Sequence, residues 1–178
     1  MKNKILLPII TLLISVALLL GLTLGLNGVA QKNAQKKHLE VMQILLPDSK
    51  TFTIEEYTGT DTNIKSVHKS ETGYIVENVV YGYVDDIRMM VAVDKDGKCV
   101  GIMVLEMHET FGLGLKALTN HKFLSQFLGS SKTMEVGETI DAISGATVTS
   151  KAITKSVNSA IAYITGADIE TGPTEWGS

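Results

Sequence analysis

Cysteine is nearly absent from this chain: its 178 residues contain one, Cys99. That excludes an internal disulfide and any cysteine-built metal or iron–sulfur site. Cys99 lies in an apolar run and reads as a small buried hydrophobe of a strand. Without a Cys-x-x-Cys-His sequence there is no c-type haem attachment, so Met89, Met90, Met103 and Met107 are expected to serve packing, suited to a flat ligand, and not haem ligation. Basic clusters interleaved with aromatics are also missing, and the formal net charge is −3 with a pI near 5.8. The chain therefore lacks the electrostatic footprint of a nucleic acid binder. No Gly-x-Ser-x-Gly elbow occurs, which argues against a hydrolase built on Ser144 or Thr147 with His108 and Glu109. Internal repeats are absent too.

Charge is missing from one long stretch. Between Ile5 and Leu26 no charged residue occurs, and the run matches the ~20 apolar residues that cross a bilayer. Small residues at Gly28, Val29 and Ala30 suit signal-peptide cleavage, but a signal h-region is normally ~7–15 residues. The run is longer, which favours a retained transmembrane anchor over residues 5–26, preceded by a short segment, residues 1–4. Lys2 and Lys4 stand before it and Lys32, Lys36 and Lys37 after it, so charge alone leaves its orientation open.

The remainder is long enough for one buried core. Residues 27–50 form a helical stalk in this reading: Leu39, Met42, Leu45 and Leu46 recur at helical spacing and Pro47 ends it. Phe52 and Ile54 alternate as in a short edge strand, and Thr58-Gly59-Thr60-Asp61 reads as loop. Apolar runs at 74–83, 87–93 and 99–107 predict a three-stranded meander, with Asp94-Lys95-Asp96-Gly97 and Asp85-Asp86 as hairpin turns. A helix is expected over 115–128, using Leu118, Phe123, Phe127 and Leu128 and stopped by Gly129. Ile153, Val157, Ala160, Ile161 and Ile164 define a second, better patterned helix with Gly166 as its stop. The expected class is α+β: an antiparallel sheet flanked by helices in a domain over 51–166, with one N-terminal transmembrane helix and a tail, 167–178.

Two segments carry chemistry. Asp141-Ala142-Ile143-Ser144-Gly145-Ala146-Thr147-Val148-Thr149-Ser150 is a small, polar turn running into the second helix, whose free N–H groups and dipole suit a phosphate. A simple N-cap is the alternative role for Thr147. Glu106-Met107-His108-Glu109-Thr110-Phe111-Gly112-Leu113-Gly114 leaves the last strand, either as a site loop or as a polar loop with a helix cap.

Asp141-x-x-Ser144-Gly145-Ala146-Thr147 resembles the flavinylation motif of the FMN-binding domain family, and His108-Glu109-Thr110-x-Gly112-Leu113-Gly114 resembles that family's second signature. Phe111 stands where the family usually has proline. With its anchor and compact length the chain is similar to the G subunits of Rnf electron-transport complexes. The C subunits of sodium-pumping NADH:quinone reductases share the motif but tend to be longer.

The resemblance implies FMN joined to Thr147 through a phosphoester, with Ser144, Gly145, Ala146, His108, Glu109, Thr110, Gly112, Leu113 and Gly114 around it. It makes Asp141 a recognition residue for a flavin transferase that uses flavin adenine dinucleotide and a divalent metal. It also implies an extracytoplasmic domain of a cell-membrane complex coupling ferredoxin and NAD redox chemistry to cation translocation. Partners would be the other membrane subunits, and lipid around residues 5–26; no turnover is expected of this subunit alone. A flavin-free tethered binding module is the remaining alternative. Physical chemistry agrees on one point: a hydroxyl is a weak nucleophile and no base in the motif activates Thr147, so attachment needs an external catalyst.

Overall fold

The computed structural model describes residues 3–107, 117 and 119–169, except for the side chains of 3–9, 22–27 and 31. The chain forms two compact units, Met1–Val41 and Met42–Ser178. The first is occupied by helix α1 (Asn3–Leu45), whose last turn belongs to the second unit. Ile10, Leu12, Leu13, Ile14, Val16, Leu18, Leu19 and Leu20 are all exposed on it. Among the described residues no helix is long and apolar enough to cross a membrane. Both ends of the expected span, 5–9 and 22–26, have side chains outside the described set.

The second unit is an antiparallel sheet in the order β1-β2-β3-β4-β5: β1 (Thr53–Glu55), β2 (Ile64–Lys69), β3 (Gly73–Tyr81), β4 (Asp86–Asp94) and β5 (Cys99–Met107). The expected meander is its β3-β4-β5 half. At the first hairpin Tyr81 pairs with Asp86, and the Gly82 N–H donates to Asp85 O at 2.9 Å. At the second, Asp94 Oδ1 accepts from the N–H groups of Asp96 and Lys98 at 2.9 and 2.8 Å, and Gly97 takes the left-handed conformation (φ 79°) that an aspartate–glycine turn requires. The edge strand at Phe52 and Ile54 exists as β1, but Ile54 points outward and is 78% exposed.

Helix α2 (His121–Ser125) is shorter than the sequence pattern suggests. Asn120 interrupts the expected 115–128 helix by capping a new one, its Oδ1 accepting from the Phe123 N–H at 3.1 Å. Phe123 and Phe127 are buried edge-to-face with ring centroids 5.2 Å apart, while Leu128, expected on the apolar face, falls in the following turn and is exposed. Leu118 lies outside the described residues.

Helix α3 (Thr147–Thr165) ends as expected at Gly166, φ 68°, whose N–H donates to Ala162 O at 2.8 Å, but it starts at Thr147, inside the 141–150 segment read as a turn. Ile153, Val157, Ala160 and Ile161 are fully buried against Val76, Val80, Met89, Val91 and Cys99. Each large side chain removed from water in this way contributes about 1.5–3 kcal/mol. On the sheet's other face Leu45 packs on Gly101, where an added Cβ would lie 2.8 Å from Leu45 Cδ2. With both faces covered, β4 is buried continuously over 89–93. Glu77 is buried beside it, satisfied by Arg88 Nε at 2.5 Å and Ser66 Oγ at 3.1 Å.

Candidate functional site

Thr147 stands at one end of the sheet, and the register says which end. Gly97 in the β4–β5 turn approaches the end of α3, since a Cβ there would fall 2.7 Å from Thr165 Cγ2. The Asn78 amide of β3 donates to Ser156 O at 2.9 Å midway along the helix. The start of α3 therefore lies toward the opposite end, with the β3–β4 hairpin and the finish of β5, where Met107 pairs with Ile87. The chain leaves β5 there to enter the 108–114 segment. His108, Glu109, Thr110, Gly112, Leu113 and Gly114, with Phe111, lie outside the described residues.

The turn before α3 is built to expose its tip. Gly145 has φ 81°, a conformation that carries a side chain only at a cost. The Ala146 N–H donates to Ile143 O at 2.8 Å, closing the turn, and Ser144 and Gly145 face solvent. Three hydroxyl residues follow, and they separate sharply. Ser150 is fully buried: its Oγ donates to Ala146 O at 2.8 Å and accepts from the Ile143 N–H at 3.2 Å, which ties the turn to the helix. Thr149 is buried as well. Thr147 alone of the three is exposed.

Thr147 is also not the cap. The N-cap position belongs to Ala146, φ −130° and ψ 36°, and no side-chain cap hydrogen bond is made there among the described residues. The N–H groups of Thr147 and Val148, which have no intrahelical acceptor, thus stand beside an exposed threonine hydroxyl. Lys151 follows one turn later on the same face, half-buried. The arrangement fits a phosphoryl group: an accessible hydroxyl to carry it, backbone donors and a dipole to meet its charge, and no β-carbon at Gly145 to obstruct approach.

Two side-chain amides that the sequence reading did not single out hold this region in place. Gln126, at the end of α2, clasps the backbone of Asp141: Oε1 accepts from the Asp141 N–H at 2.8 Å and Nε2 donates to Asp141 O at 3.2 Å. Asn158 on α3 does the same to Met134, with bonds of 2.9 and 2.8 Å. Between them the 134–141 segment is pinned at both ends, with buried Ile140 as an apolar anchor. The clasp uses only main-chain atoms of Asp141, leaving its exposed carboxylate to solvent.

Comparison with known proteins adds to this geometry. The FMN-binding domain family model matches residues 82–162, a span that includes both 108–114 and 141–150. The G subunit of the proton-translocating ferredoxin:NAD(+) oxidoreductase complex of Clostridium ljungdahlii is 32% identical over 144 residues, 76% of each chain. The chain belongs to the FMN-binding domain family of complex G subunits. The G subunit of the ion-translocating oxidoreductase complex of Methanosarcina acetivorans is 28% identical across 93% of this chain and 96% of its own. Among solved structures, Shewanella oneidensis NqrC aligns at 21% identity with a TM-score of 0.46, covering 65% of this chain and 70% of that one. The family match begins in the turn between β3 and β4 and ends within α3, so β1, β2 and β3, which complete the sheet, lie outside it.

Proposed function

We propose that this chain is the FMN-carrying electron-transfer subunit of a membrane-bound Rnf-type complex, with FMN joined to Thr147 by a phosphoester. The carrying observation is the isolation of Thr147: exposed, outside the cap, and the only one of three neighbouring hydroxyl residues open to solvent. FMN, when attached, supplies one- and two-electron transfer. The chain's residues do the rest. First-turn N–H groups and the helix dipole face the phosphate, Gly145 and Ser144 keep the approach open, and His108, Glu109, Thr110, Gly112, Leu113 and Gly114 line the ring side of the site.

Retention has to be covalent on energetic grounds. A helix dipole is worth ~0.3–1 kcal/mol, up to ~2 kcal/mol in partly buried geometry. At ~1.4 kcal/mol per decade of affinity that is about tenfold, too little to hold a cofactor where no flavin pool refills the site. No base within the 141–150 motif activates the Thr147 hydroxyl, so a flavin transferase provides the chemistry and reads the carboxylate of Asp141 as part of its recognition segment.

Residues 5–26 anchor the subunit as a single membrane pass, a reading supported by the row of exposed apolar side chains between Ile10 and Leu20. The soluble domain sits on the extracytoplasmic side among the other membrane subunits of a complex that couples ferredoxin and NAD redox chemistry to cation translocation, with no turnover by this subunit alone. Added protease removes the domain from spheroplasts if that orientation holds, and full protection refutes it.

The test of attachment is direct. Protein co-expressed with a flavin transferase, denatured and run on a gel, fluoresces under ultraviolet light; Thr147→Ala is dark and Thr147→Ser retains signal. A dark wild-type band beside a labelled control substrate overturns the proposal in favour of a flavin-free module.

A further inference from the structure

At the far end of α3, some 12–16 residues and so about 18–24 Å along the axis from Thr147, the chain forms a second site. A cleft of about 440 Å³ opens between the segment after β1 and the end of the helix. Glu55, Glu56, Asp61 and Asp168 line it, and among the described residues no lysine or arginine does. Glu55 is partly compensated from outside, by Lys69 at 3.3 Å and by the Tyr163 hydroxyl, which donates to it at 2.7 Å. The other three carboxylates have no ion pair among the described residues.

Two groups in the wall are left incomplete. Asp61 is only 7% exposed; its Oδ1 accepts from the backbone N–H and Nδ2 of Asn63 at 2.9 and 2.8 Å, but its Oδ2 has no partner among the described residues. Ser159, on the helix side, is fully buried and its Oγ has no partner there either. A buried carboxylate oxygen without a donor is among the more costly features a fold can keep. Both lie in the lining of one acidic cleft, and both are completed by the same thing, a positively charged N–H donor.

The shape selects among cations. No three of the cleft's carboxylates bring oxygens within 4.8 Å of one another, as ligation of a single metal ion by them would need. The volume is also more than tenfold the ~30 Å³ share of one water. Tyr57 and Tyr163, with ring centroids 6.0 Å apart and planes inclined by 57°, form an aromatic flank. Such a flank suits a cation carried on an apolar stem. We propose that this cleft binds a guanidinium or alkylammonium group, its head donating to Asp61 Oδ2 and Ser159 Oγ and its stem lying along Tyr57 and Tyr163. An arginine or lysine side chain of a partner and a free polyamine share that chemistry.

The test is calorimetric titration of the full chain in detergent with butylguanidinium, against neutral butylurea and calcium chloride. Butylguanidinium saturates with a Kd on the order of 1 mM, a contact-level affinity, and butylurea and calcium do not. Asp61→Asn weakens binding about tenfold, as loss of a charge-assisted bond predicts. Ser159→Ala and the exposed Glu56→Gln weaken it by about two- to threefold each, and they carry the test if Asp61→Asn fails to fold. Thr147→Ala leaves binding unchanged, which separates this site from the flavin. A Gly-Arg-Gly peptide binding as tightly as butylguanidinium assigns the cation to a partner's side chain; spermidine binding with the peptide excluded assigns it to a free polyamine. Absence of saturation, equal binding of butylurea, saturation by calcium alone, or indifference to both Asp61→Asn and Ser159→Ala overturns the proposal.

Discussion

Removing the Gln126 side chain should slow flavin attachment at a threonine it does not touch. Gln126 gives Asp141 two hydrogen bonds, at 2.8 and 3.2 Å, across 15 residues of sequence. A net hydrogen bond is worth about 0.5–1.5 kcal/mol, and these lie at a partly solvated site, so the pair contributes about 1–1.5 kcal/mol to holding Asp141 in place. If the transferase recognises Asp141 as presented, Gln126→Ala costs that ordering in the encounter, and the labelling rate falls about five- to tenfold. Gln126→Glu separates the two bonds: its carboxylate still accepts from the Asp141 N–H but meets Asp141 O with an acceptor, so it labels more slowly than wild type. The assay is the initial rate of appearance of the fluorescent band at fixed transferase concentration, with the thermal transition of the domain measured in parallel. A positioning role leaves the final extent of labelling near complete and lowers only the rate. Wild-type rates in Gln126→Ala, with Asp141→Asn strongly impaired, would refute the reasoning.

Other perturbations test the surrounding structure. Gly145→Ala forces a β-carbon into φ 81°, costing about 1–2 kcal/mol, and should lower the Tm by about 3–8 °C; an unchanged Tm speaks against the turn as described. Burial pushes the Cys99 thiol up to about 12 from 9.0, with a backbone hydrogen bond from Gly101 opposing it. At pH 8.5 the folded protein should alkylate with iodoacetamide about a thousandfold more slowly than a free thiol, and modification at a free-thiol rate without unfolding contradicts this. Glu71 is held down at about 2, chiefly by the Thr51 hydroxyl and then by backbone N–H groups, including those of Thr51 and Lys50. Its depressed folded value means that this tie is fully present above the unfolded 4.5 and is lost as pH falls from there through about 2. The Thr51 amide resonance should titrate with a midpoint near 2, and a midpoint near 4.5 shows the tie absent.

Local rules carried most of the fold. Helix α3 follows its hydrophobic pattern to a clean stop at Gly166, and β5 covers the apolar run expected over 99–107. Failures arose where one residue overruled a pattern: Asn120 starts a fresh helix inside an apolar stretch, and Leu128 is thereby turned to solvent. At the candidate site the sequence supplied the residues but not their division of labour. That Ser150 and Thr149 are buried while Thr147 is exposed follows from which helical face meets the sheet. The clasps at Gln126 and Asn158 span 15 and 24 residues, and a lone amide gives no local sign of such a partner. The family resemblance supplied the chemistry for Thr147 that neither composition nor spacing carries.

The start of α3 breaks a rule that most helices keep, and the break has a consistent physical reading. A serine, threonine or aspartate at the N-cap in place of alanine stabilises a helix by about 0.5–2 kcal/mol. Here Ala146 holds that position and the threonine stands one residue too late to cap. Had Thr147 been the cap, its oxygen would accept from first-turn N–H groups and its hydroxyl would be folded back against the helix. One residue further on it is placed to carry a substituent, and the N–H groups of Thr147 and Val148 are placed to meet the substituent's charge. Ser150 recovers part of the lost order from within the core, bonding the turn through the Ile143 N–H and Ala146 O. Conflicts between local preference and global structure concentrate at functional positions. A helix that forgoes its cap beside the one exposed hydroxyl of its first turn suits the proposed attachment better than it serves stability.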